Sequence, residues 1–362
     1  MKIIHLIDQF DYCDGCARHV FLLAVQQKKK GHEVLLVAGK GDALGLLERE
    51  KIEYRVVPSI HHADRSVIGF VSGAMTLRRI IRSTSPDIIH AHHFYAAHQA
   101  RLASSRGRLV FTVHANLPKI GWLSKYPGDA LIAVSESTKT WITEQYPALS
   151  GKISVVPNSS AFLGLDQEIK GMPLYQKLLE RAKRNFIVMY SGRLVKVKGV
   201  QNVLEAVARL QREFPITCII AGEGAHEKEL RERASALSID AMFFGRISDI
   251  KPLLEIAHVV VLPSLSSEGL PMTLLEAGLA SRAVVASNLD GIPELVRDGV
   301  SGLLVAPGDV PQLAHALQRL HDEPALRAAM GAALRKKVEA YPVSAMADGV
   351  DKVYEMLISK HS

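Results

Sequence analysis

Short, unbroken runs of apolar residues recur along the first half of the chain, and segments with helical spacing separate them. The first run, KIIHLID, covers residues 2–8, apolar side chains recur at helical spacing over 17–30, and a second run, HEVLLVAG, covers 32–39. Unbroken apolar runs are typical of parallel strands that are covered on both faces. The pattern therefore predicts the opening of a doubly wound sheet. Further strands are predicted at 54–58, 87–92, 108–115, 130–135 and 153–158.

The alternation stops between residues 157 and about 184 and then begins again. The turn-rich PNSSAFLGLD and the charged, helical LYQKLLERAKRN fill this interval, which we interpret as a domain junction. The second half thus predicts another Rossmann-like domain, with ligands expected in a cleft between the two domains. Its strands are predicted at 186–192, 216–222, 241–245, 258–264, 283–287 and 302–306, and its helices at about 200–214, 225–237, 249–257, 271–280 and 310–319, before one or two amphipathic helices over 343–358.

Composition narrows the class of protein. The 362 residues suffice for two domains, and 48% hydrophobic with 22% charged residues is typical of a folded globular chain. No apolar run reaches the roughly 18 residues of a membrane span, and Asp8 interrupts the N-terminal run too soon for a secretory leader. Three cysteines do not make a disulfide framework, which agrees with a reducing compartment. We therefore expect a cytoplasmic protein.

The net charge of +7 lies entirely in the first half of the chain. Residues 1–165 hold 20 Lys and Arg against 13 Asp and Glu, whereas the remainder holds 24 of each. A basic half favours an anionic partner, such as a phospholipid surface, a phosphorylated glycan or nucleic acid. In LRRIIR, the cations Arg78, Arg79 and Arg82 recur at helical spacing and either form a solvated face or contact a membrane.

The first stretch with candidate binding residues is SGRLVKVKG, residues 191–199. It leads from a predicted strand into a predicted helix and carries Arg193 and Lys198. Two cations beside a helix N-terminus suit a diphosphate. The alternative is a basic loop that only contacts solvent.

A second stretch, SEGLPMTLLEAG at 267–278, carries two acidic residues eight positions apart, Glu268 and Glu276. Because eight residues make about two helical turns, both carboxylates can reach one pocket. Pro271 suits a first helical turn. The alternative interpretation is that Glu268 caps the helix and Glu276 lies on the surface. If the two carboxylates do line one pocket, an anion bound there could accept hydrogen bonds from the backbone N–H groups of Gly269, Leu270, Met272 and Thr273.

These two stretches, followed by NLDGIPELVRDGVSGLLV at 288–305, resemble the retaining nucleotide-sugar glycosyltransferases with the GT-B fold known as GT4. The likeness runs through most of the C-terminal half. Weaker matches to the family pattern lie in the N-terminal half, in PDIIHAHHFYAA, TVHA, LIAVSE and VVPN. It implies two Rossmann-like domains facing a central cleft, a first over 1–163 on the acceptor side and a second over 164–342 on the donor side. It also implies that 343–362 returns to the first domain as a helix.

The resemblance implies a role for each matched residue. Arg193 and Lys198 would neutralise the leaving diphosphate, and Glu276 would hold the ribose hydroxyls of the nucleotide. Glu268, with the backbone of 269–271, would hold the donor sugar, which His114 would face from the first domain. The remaining implied donor-binding positions are Gly15, Leu270, Met272 and Thr273, with Arg246 and Ile247 in FFGRIS meeting the base through their main chain.

Cys13 and Cys16 form a C-x-x-C pair, a spacing found in redox and zinc sites. No second Cys pair or matching His spacing accompanies it, so we expect the thiols to be incidental. The family often has a Gly-Gly pair here, for which Asp14 and Gly15 stand in this chain. Gly15 would let the backbone approach the donor, whereas Asp14 departs from the family pattern.

Two other features depart from the simplest interpretation. His90 and His92 in HAHH share one face of a predicted strand, which raises a metal site as an alternative. The family typically needs no metal, since Arg and Lys do the work of the ion, so we expect neither metal nor cofactor. In VVPNSSAF, residues 159–162 replace the Gly and Asp of the family's PNGVD.

The leading hypothesis is a metal-independent retaining hexosyltransferase with a nucleotide-diphosphate sugar as donor, UDP-linked sugars being favoured. The expected acceptor is a cell-envelope glycan or glycolipid such as lipopolysaccharide core, reached at the inner face of an anionic membrane. Nucleic acid is not an expected partner. The alternatives are another GT-B-like enzyme, such as a nucleotide-sugar epimerase or a phosphorylase, and a non-enzymatic sugar-nucleotide binding protein. A nicotinamide dehydrogenase is disfavoured because G-x-G-x-x-G follows neither candidate strand.

Overall fold

The computed structural model describes residues 1–12, 14–61, 66–104, 108–116, 126–165, 167–266 and 268–360, with Gln167 described by its backbone alone. The chain divides into two compact units. The first comprises Met1–Ser159 together with Pro342–Ser362, and the second comprises Ser160–Tyr341. The first unit therefore ends, in its N-terminal part, a few residues before the domain boundary predicted at residue 163.

The first unit is built on a parallel sheet with helices packed against it. Its elements are β1 (Lys2–Gln9), α1 (Gly15–Lys29), β2 (Glu33–Lys40), α2 (Leu44–Arg49), β3 (Glu53–Val56), α3 (Val67–Thr84), β4 (Ile88–Ala91), α4 (Phe94–Ala103), β5 (Leu109–Val113), β6 (Ala130–Ala133), α5 (Glu136–Gln145) and β7 (Ile153–Val155). The strand order is β3-β2-β1-β4-β5-β6-β7, so it reverses between β1 and β4. Leu6 and Phe111 of the sheet pack with Leu77 and Ile80 of α3 in one core.

The second unit repeats this plan. Its elements are α6 (Gln167–Lys170), α7 (Pro173–Ala182), β8 (Phe186–Ser191), α8 (Val200–Leu210), β9 (Ile216–Ala221), α9 (Glu227–Ala236), β10 (Ala241–Gly245), α10 (Lys251–Ile256), β11 (Val259–Leu262), α11 (Met272–Leu279), β12 (Ala283–Ser287), α12 (Ile292–Leu295), β13 (Leu303–Val305), α13 (Val310–Asp322) and α14 (Pro324–Val338). The order β10-β9-β8-β11-β12-β13 reverses between β8 and β11. Parallel pairing with buried apolar residues throughout the central strands explains the unbroken apolar runs.

The last helix, α15 (Val343–Ser359), belongs to the first unit. Lys30, at the end of α1, forms an ion pair with Asp351 of α15, Nζ to Oδ2 at 2.7 Å. A methyl group at Gly349 would lie 2.9 Å from the side chain of Val156, so the helix packs closely on the segment that follows β7. The predicted return of the C-terminal helix to the first unit is confirmed.

Two predicted features differ in the structure. The charged stretch interpreted as part of a junction is α7, which lies within the second unit. Helix α14 was not predicted, because alanines spread over its sequence PALRAAMGAALRKKV blur the contrast between its two faces. The two-domain α/β architecture is nevertheless confirmed. Within the described ranges, the structure holds no helix with the length and apolar content that crossing a membrane requires.

Candidate active site

The candidate residues of the second unit lie in loops at the carboxyl ends of its strands. The sheet order reverses between β8 and β11, and in open α/β sheets ligands bind at such a switch point. The loop after β8 carries Arg193 and Lys198, and the loop after β11 carries Glu268. The two stretches with predicted chemistry therefore flank one switch point.

The two loops are held against each other by their backbones. Gly199 adopts a left-handed conformation, φ +70°, and a Cβ at this position would lie 2.0 Å from the carbonyl oxygen of Pro263. Two residues earlier, the carbonyl of Val197 accepts a hydrogen bond of 2.8 Å from the N–H of Leu265. Glycine is thus required at 199 both by conformation and by the close approach of the second loop.

Lys198 and Glu268 form a largely buried ion pair across the two loops. Lys198 Nζ lies 2.5 Å from Glu268 Oε1, with 17% and 8% of the two side chains exposed. The Ser264 hydroxyl also donates to Oε1, and the N–H of Glu268 donates to Asp290 Oδ2 at 2.9 Å. Lys198, Glu268 and Ser264 therefore form one hydrogen-bonded cluster.

Arg193 has an exposed side chain on a loop whose backbone is held by a residue of β8. The hydroxyl of Tyr190, in β8, donates to the Arg193 carbonyl at 2.8 Å. Burial raises the pKa of this phenol, and the nearby Glu268 carboxylate adds to the effect, so Tyr190 stays a neutral donor. Arg193 is consequently presented to solvent while its backbone is anchored.

Helix α11 begins one residue later than predicted. Pro271 is its N-cap, with extended backbone, rather than part of its first turn. The N–H groups of Met272 and Thr273 open the helix and have no intrahelical acceptor. The Thr273 hydroxyl donates to the Ser191 carbonyl at 3.2 Å, which holds the start of α11 against the end of β8. Gly269 and Leu270 lie in the loop just before it.

The other predicted donor-binding residues have partners of their own. Glu276 is buried in α11, and Ser160 donates to its Oε1 over 3.5 Å. Arg246 forms an ion pair with Glu223, which joins the loop after β10 to the loop after β9. Ile247 is buried next to Arg246. The side chains of 246 and 247 thus stabilise the loop, and contact with a base through their main chain stays a prediction.

The glycine-containing loop of the first unit has a local explanation for its departure from the family pattern. Asp14 is the N-cap of α1, and its carboxylate accepts a hydrogen bond of 3.0 Å from the N–H of Cys16. Gly15 is the first residue of that helix. Burial raises the pKa of the Cys16 thiol to about 11, so it is not a reactive thiolate. Cys13 lies outside the described residues.

His114 follows β5 and belongs to a cluster of five histidines in the first unit. His92 Nδ1 lies 3.3 Å from His114 Nε2, and the rings of His90 and His92 are 4.2 Å apart. Burial lowers the pKa of every ring in the cluster, to about 4 for His5 and His19, so the imidazoles are neutral at physiological pH. The predicted shared face of His90 and His92 is present within a larger cluster.

Two triplets in this cluster have metal-ligating spacing. The ligand atoms of His5, His90 and His92 lie within 4.8 Å of one another, as do those of Cys16, His92 and His114. Every ring nitrogen of the first triplet, however, already lies 2.6–3.3 Å from a protein hydrogen-bonding atom. The hydrogen bonds satisfy these nitrogens without an ion, and the expectation of metal independence stays a prediction.

Sequence reasoning missed several residues that shape the sites. Ser264 and Asp290 hold Glu268, and Tyr190 anchors the backbone of Arg193. His5 and His19 join the histidine cluster. Ser264 was detectable in principle, because a hydroxyl residue directly after the strand VVVLP is a typical site position. Tyr190 and His5 lie inside apolar runs, where their polar atoms leave no signal in the periodicity.

Both units of the chain match families of known proteins. The family model "Glycosyl transferases group 1" matches residues 174–337, and "Glycosyltransferase Family 4" matches residues 13–159. The phosphatidyl-myo-inositol mannosyltransferase of Mycolicibacterium smegmatis is 29% identical over 365 residues, which cover 96% of this chain and 91% of that protein.

Solved structures are similar over nearly the whole chain. Anabaena HepE in complex with UDP-glucose matches with a TM-score of 0.81 at 21% identity, covering 99% of both chains. WaaG, described as a glycosyltransferase involved in lipopolysaccharide biosynthesis, matches with a TM-score of 0.76 at 14% identity, covering 98% of this chain and 99% of that one. These likenesses confirm the GT-B fold implied by the sequence.

The neutral histidines predict a loss of stability on mild acidification. His5 and His19 have pKa values of about 4 when folded and about 6.5 when unfolded. Because the unfolded chain binds more protons below pH 6.5, the free energy of unfolding should fall by about 1 kcal/mol for each of the two between pH 6 and pH 5. Burial alone would lower the pKa of His93, but its ion pair with the Asp8 carboxylate contributes to a net rise, so folded His93 keeps its proton in this window and does not add to the loss.

Urea unfolding at pH 6, 5.5 and 5 measures how the free energy of unfolding changes with pH. In His5→Asn the number of protons taken up on unfolding should fall by about one. His315→Asn, at an exposed position of α13, controls for the loss of a histidine. A free energy of unfolding that is constant over this range would contradict the neutral cluster.

Proposed function

The chain belongs to the GT4-type glycosyltransferases of the GT-B fold, and from this premise we propose that it transfers a sugar, with retention, from a UDP-linked donor to a cell-envelope glycolipid or glycan without a metal ion. The observation that carries the proposal is the Lys198–Glu268 pair beside the start of α11, at the switch point of the second unit. Cations and helix N–H groups placed together suit the diphosphate of such a donor.

The leaving diphosphate needs charge stabilisation as the anomeric C–O bond breaks. Lys198, Arg193 and the N–H groups of Met272 and Thr273 supply it from fixed positions, the role that a metal ion has in other enzymes. The acceptor hydroxyl attacks from the face that the diphosphate leaves, and a phosphate oxygen takes its proton. The configuration at the anomeric carbon is thereby retained, and no enzymic nucleophile is needed.

Glu268 suits contact with the donor sugar. Both of its described side-chain contacts, from Lys198 and Ser264, use Oε1. Oε2 is then available to accept from a sugar hydroxyl, while the pairing through Oε1 fixes the orientation of the carboxylate. Glu276, which is buried in α11, is assigned to the ribose.

The choice of donor and acceptor rests on the relatives and on charge. The HepE structure contains UDP-glucose, which supports a UDP-linked sugar. The acceptor named for the mycobacterial relative is a phosphatidylinositol, and WaaG is involved in lipopolysaccharide biosynthesis. Both point to acceptors of the cell envelope, and the basic first half of the chain suits an anionic surface.

Helix α3 offers a surface for such a membrane. Val67 and Ile68 are 80% and 83% exposed, and Val71 and Met75 are 43% and 54% exposed. At 100° per residue these four side chains lie within an arc of about 100°, and Arg78 and Arg82 fall in the same arc. An apolar stripe continued by arginines is typical of a helix that lies on an anionic bilayer. We call these residues and Arg79 the α3 surface.

The diphosphate assignment predicts that Arg193→Ala and Lys198→Ala each lower turnover at saturating donor by about a hundredfold or more, as loss of one preorganised charge contact does. The released nucleoside diphosphate is measured with a panel of UDP-, GDP- and ADP-sugars. Lys196→Ala, at an exposed lysine paired with Glu229, is the matched control. Wild-type turnover in both Arg193 and Lys198 variants, or loss of activity on adding a chelator, would contradict the proposal.

An isomerised nucleotide sugar, or bound UDP without any product, would support the epimerase or binding-protein alternatives instead.

The two glutamates should fail in different ways. Glu276→Ala should weaken UDP binding and raise KM, since a ribose contact is made equally in ground and transition states, whereas Glu268→Ala should mainly lower kcat. Calorimetry with UDP and steady-state kinetics separate the two. Glu255→Ala, at an exposed glutamate of α10, is the control. Unchanged UDP affinity in Glu276→Ala would remove the ribose role.

Membrane association predicts that the protein sediments with anionic vesicles and not with neutral ones, and that salt releases it. Each cation near the surface contributes roughly 1 kcal/mol, so Arg78/Arg79/Arg82→Ala should lower partitioning about a hundredfold. The triple variant Arg184/Arg209/Arg212→Ala removes the same charge from exposed positions of the second unit and should bind as wild type does. Equal binding by both variants would show that net charge, and not the α3 surface, governs association.

A further inference from the structure

A continuous line of hydrogen bonds runs through the interior of the first unit from His114 to the C-terminal helix. His114 Nε2 lies 3.3 Å from His92 Nδ1, and His92 Nε2 lies 3.0 Å from His5 Nδ1. His5 Nε2 lies 2.7 Å from Gln27 Oε1. Each ring uses both of its nitrogens in sequence, except His114 at the outer end.

The inner end of this line is the carboxylate of Asp351, which has contacts on both of its oxygens. The Gln27 amide nitrogen lies 3.4 Å from Asp351 Oδ1 and 3.4 Å from the Tyr354 hydroxyl, both on α15. Lys30 and His32 lie 2.7 Å and 3.4 Å from the other oxygen of Asp351. A carboxylate beside a lysine is ionised and can only accept, so the amide of Gln27 must turn its NH₂ group towards Asp351 and its oxygen towards His5.

This orientation fixes the proton on every ring in turn. A neutral imidazole has one donor and one acceptor nitrogen. Because Gln27 Oε1 accepts, His5 carries its proton on Nε2, and its bare Nδ1 must accept from His92 Nε2–H. The bare Nδ1 of His92 then accepts from His114 Nε2–H. Burial, which lowers the pKa of all three residues, keeps the rings in the neutral form that this logic needs.

His90 stands beside the line and supports its end. Its ring nitrogens lie 2.6 Å from the Tyr354 hydroxyl and 2.7 Å from the Thr112 hydroxyl. Since hydroxyl groups both donate and accept, this arrangement suits either tautomer of His90. The direction of the protons is therefore set by Asp351 and Gln27 and not by His90.

We propose that Asp351, through Gln27, His5 and His92, holds His114 as its Nε2–H tautomer, so that the lone pair of Nδ1 accepts a hydrogen bond from a hydroxyl of the sugar substrate. His5, His92, Gln27 and Asp351 are positioning residues, because they act through His114. The part concerning the sugar rests on the proposed function, whereas the tautomer is a property of the unliganded protein. His114 is only partly buried, and within the part of the chain that the structure describes its Nδ1 has no hydrogen-bond partner.

The tautomers are measured directly by long-range proton–nitrogen correlation spectra of protein labelled with ¹⁵N in histidine. We expect protonated Nε2 and bare Nδ1 at His5, His92 and His114 at pH 7. An Nδ1–H form or an equal mixture at His114 would overturn the proposal. One equivalent of transition metal in the purified protein, coordinated by His92 and His114, would overturn it as well.

Asp351→Asn tests the origin of the order, because an amide in place of the carboxylate also donates and no longer fixes the orientation of Gln27. We expect a mixture of tautomers at His114 in this variant. Asp348→Asn is the matched control, since Asp348 lies on the same helix and pairs with the same lysine but has no contact with Gln27 among the described residues. Wild-type tautomers in Asp351→Asn, or the same mixture in both variants, would overturn the role of Asp351.

Kinetics then connect the tautomer to the reaction. Asp351→Asn should lower kcat/KM about fivefold, the effect of weakening one hydrogen bond. In a His114→Ala background the same change should have no further effect, because both act on one contact. Additive losses would overturn the link to the sugar. If the tautomers are as expected but no donor is turned over, the proposed function fails and the tautomer assignment stands.

Discussion

The buried pairing of Lys198 with Glu268 is the interaction on which the second unit's site depends. A carboxylate with 8% of its side chain exposed is stable only with a partner, and removing one member of such a pair costs about 3–5 kcal/mol. The two residues are far apart in the chain, so the pair joins the loop after β8 to the loop after β11. Gly199 permits this approach, because any Cβ would meet the Pro263 carbonyl. The ammonium group of Lys198 is therefore held in a fixed position by contacts within the second unit.

Each unit has its own buried polar cluster. The second unit buries an ion pair, whose charges suit a diphosphate, and places the N–H groups of α11 beside it. The first unit gathers neutral imidazoles into a buried cluster whose inner end is the Asp351 carboxylate, and it exposes cations such as Arg78 and Arg82.

Periodicity and local motifs predicted the strands and the loops that bear Arg193, Lys198 and Glu268, because these features are encoded over a few neighbouring residues. The function of Asp14 was not predicted, since a comparison with the family pattern shows only a missing glycine, whereas the structure shows a helix cap. The histidine line was beyond sequence reasoning, because its contacts join residues of β1, α1 and α15 with residues that follow β4 and β5. His90 and His92 were noticed as a pair, but the residues that decide their protonation are distant in the chain.

The distance in sequence between Gln27 and Asp351 constrains how the first unit is completed. His5, Gln27 and His90 are fully buried polar residues, and their partners Asp351 and Tyr354 lie in the last helix. Buried polar groups without partners are strongly unfavourable. The interior of the first unit is therefore satisfied only after α15 has packed against α1, when the second unit has already been synthesised. The helix that closes the fold is thus the one that supplies the charge at the inner end of the histidine line.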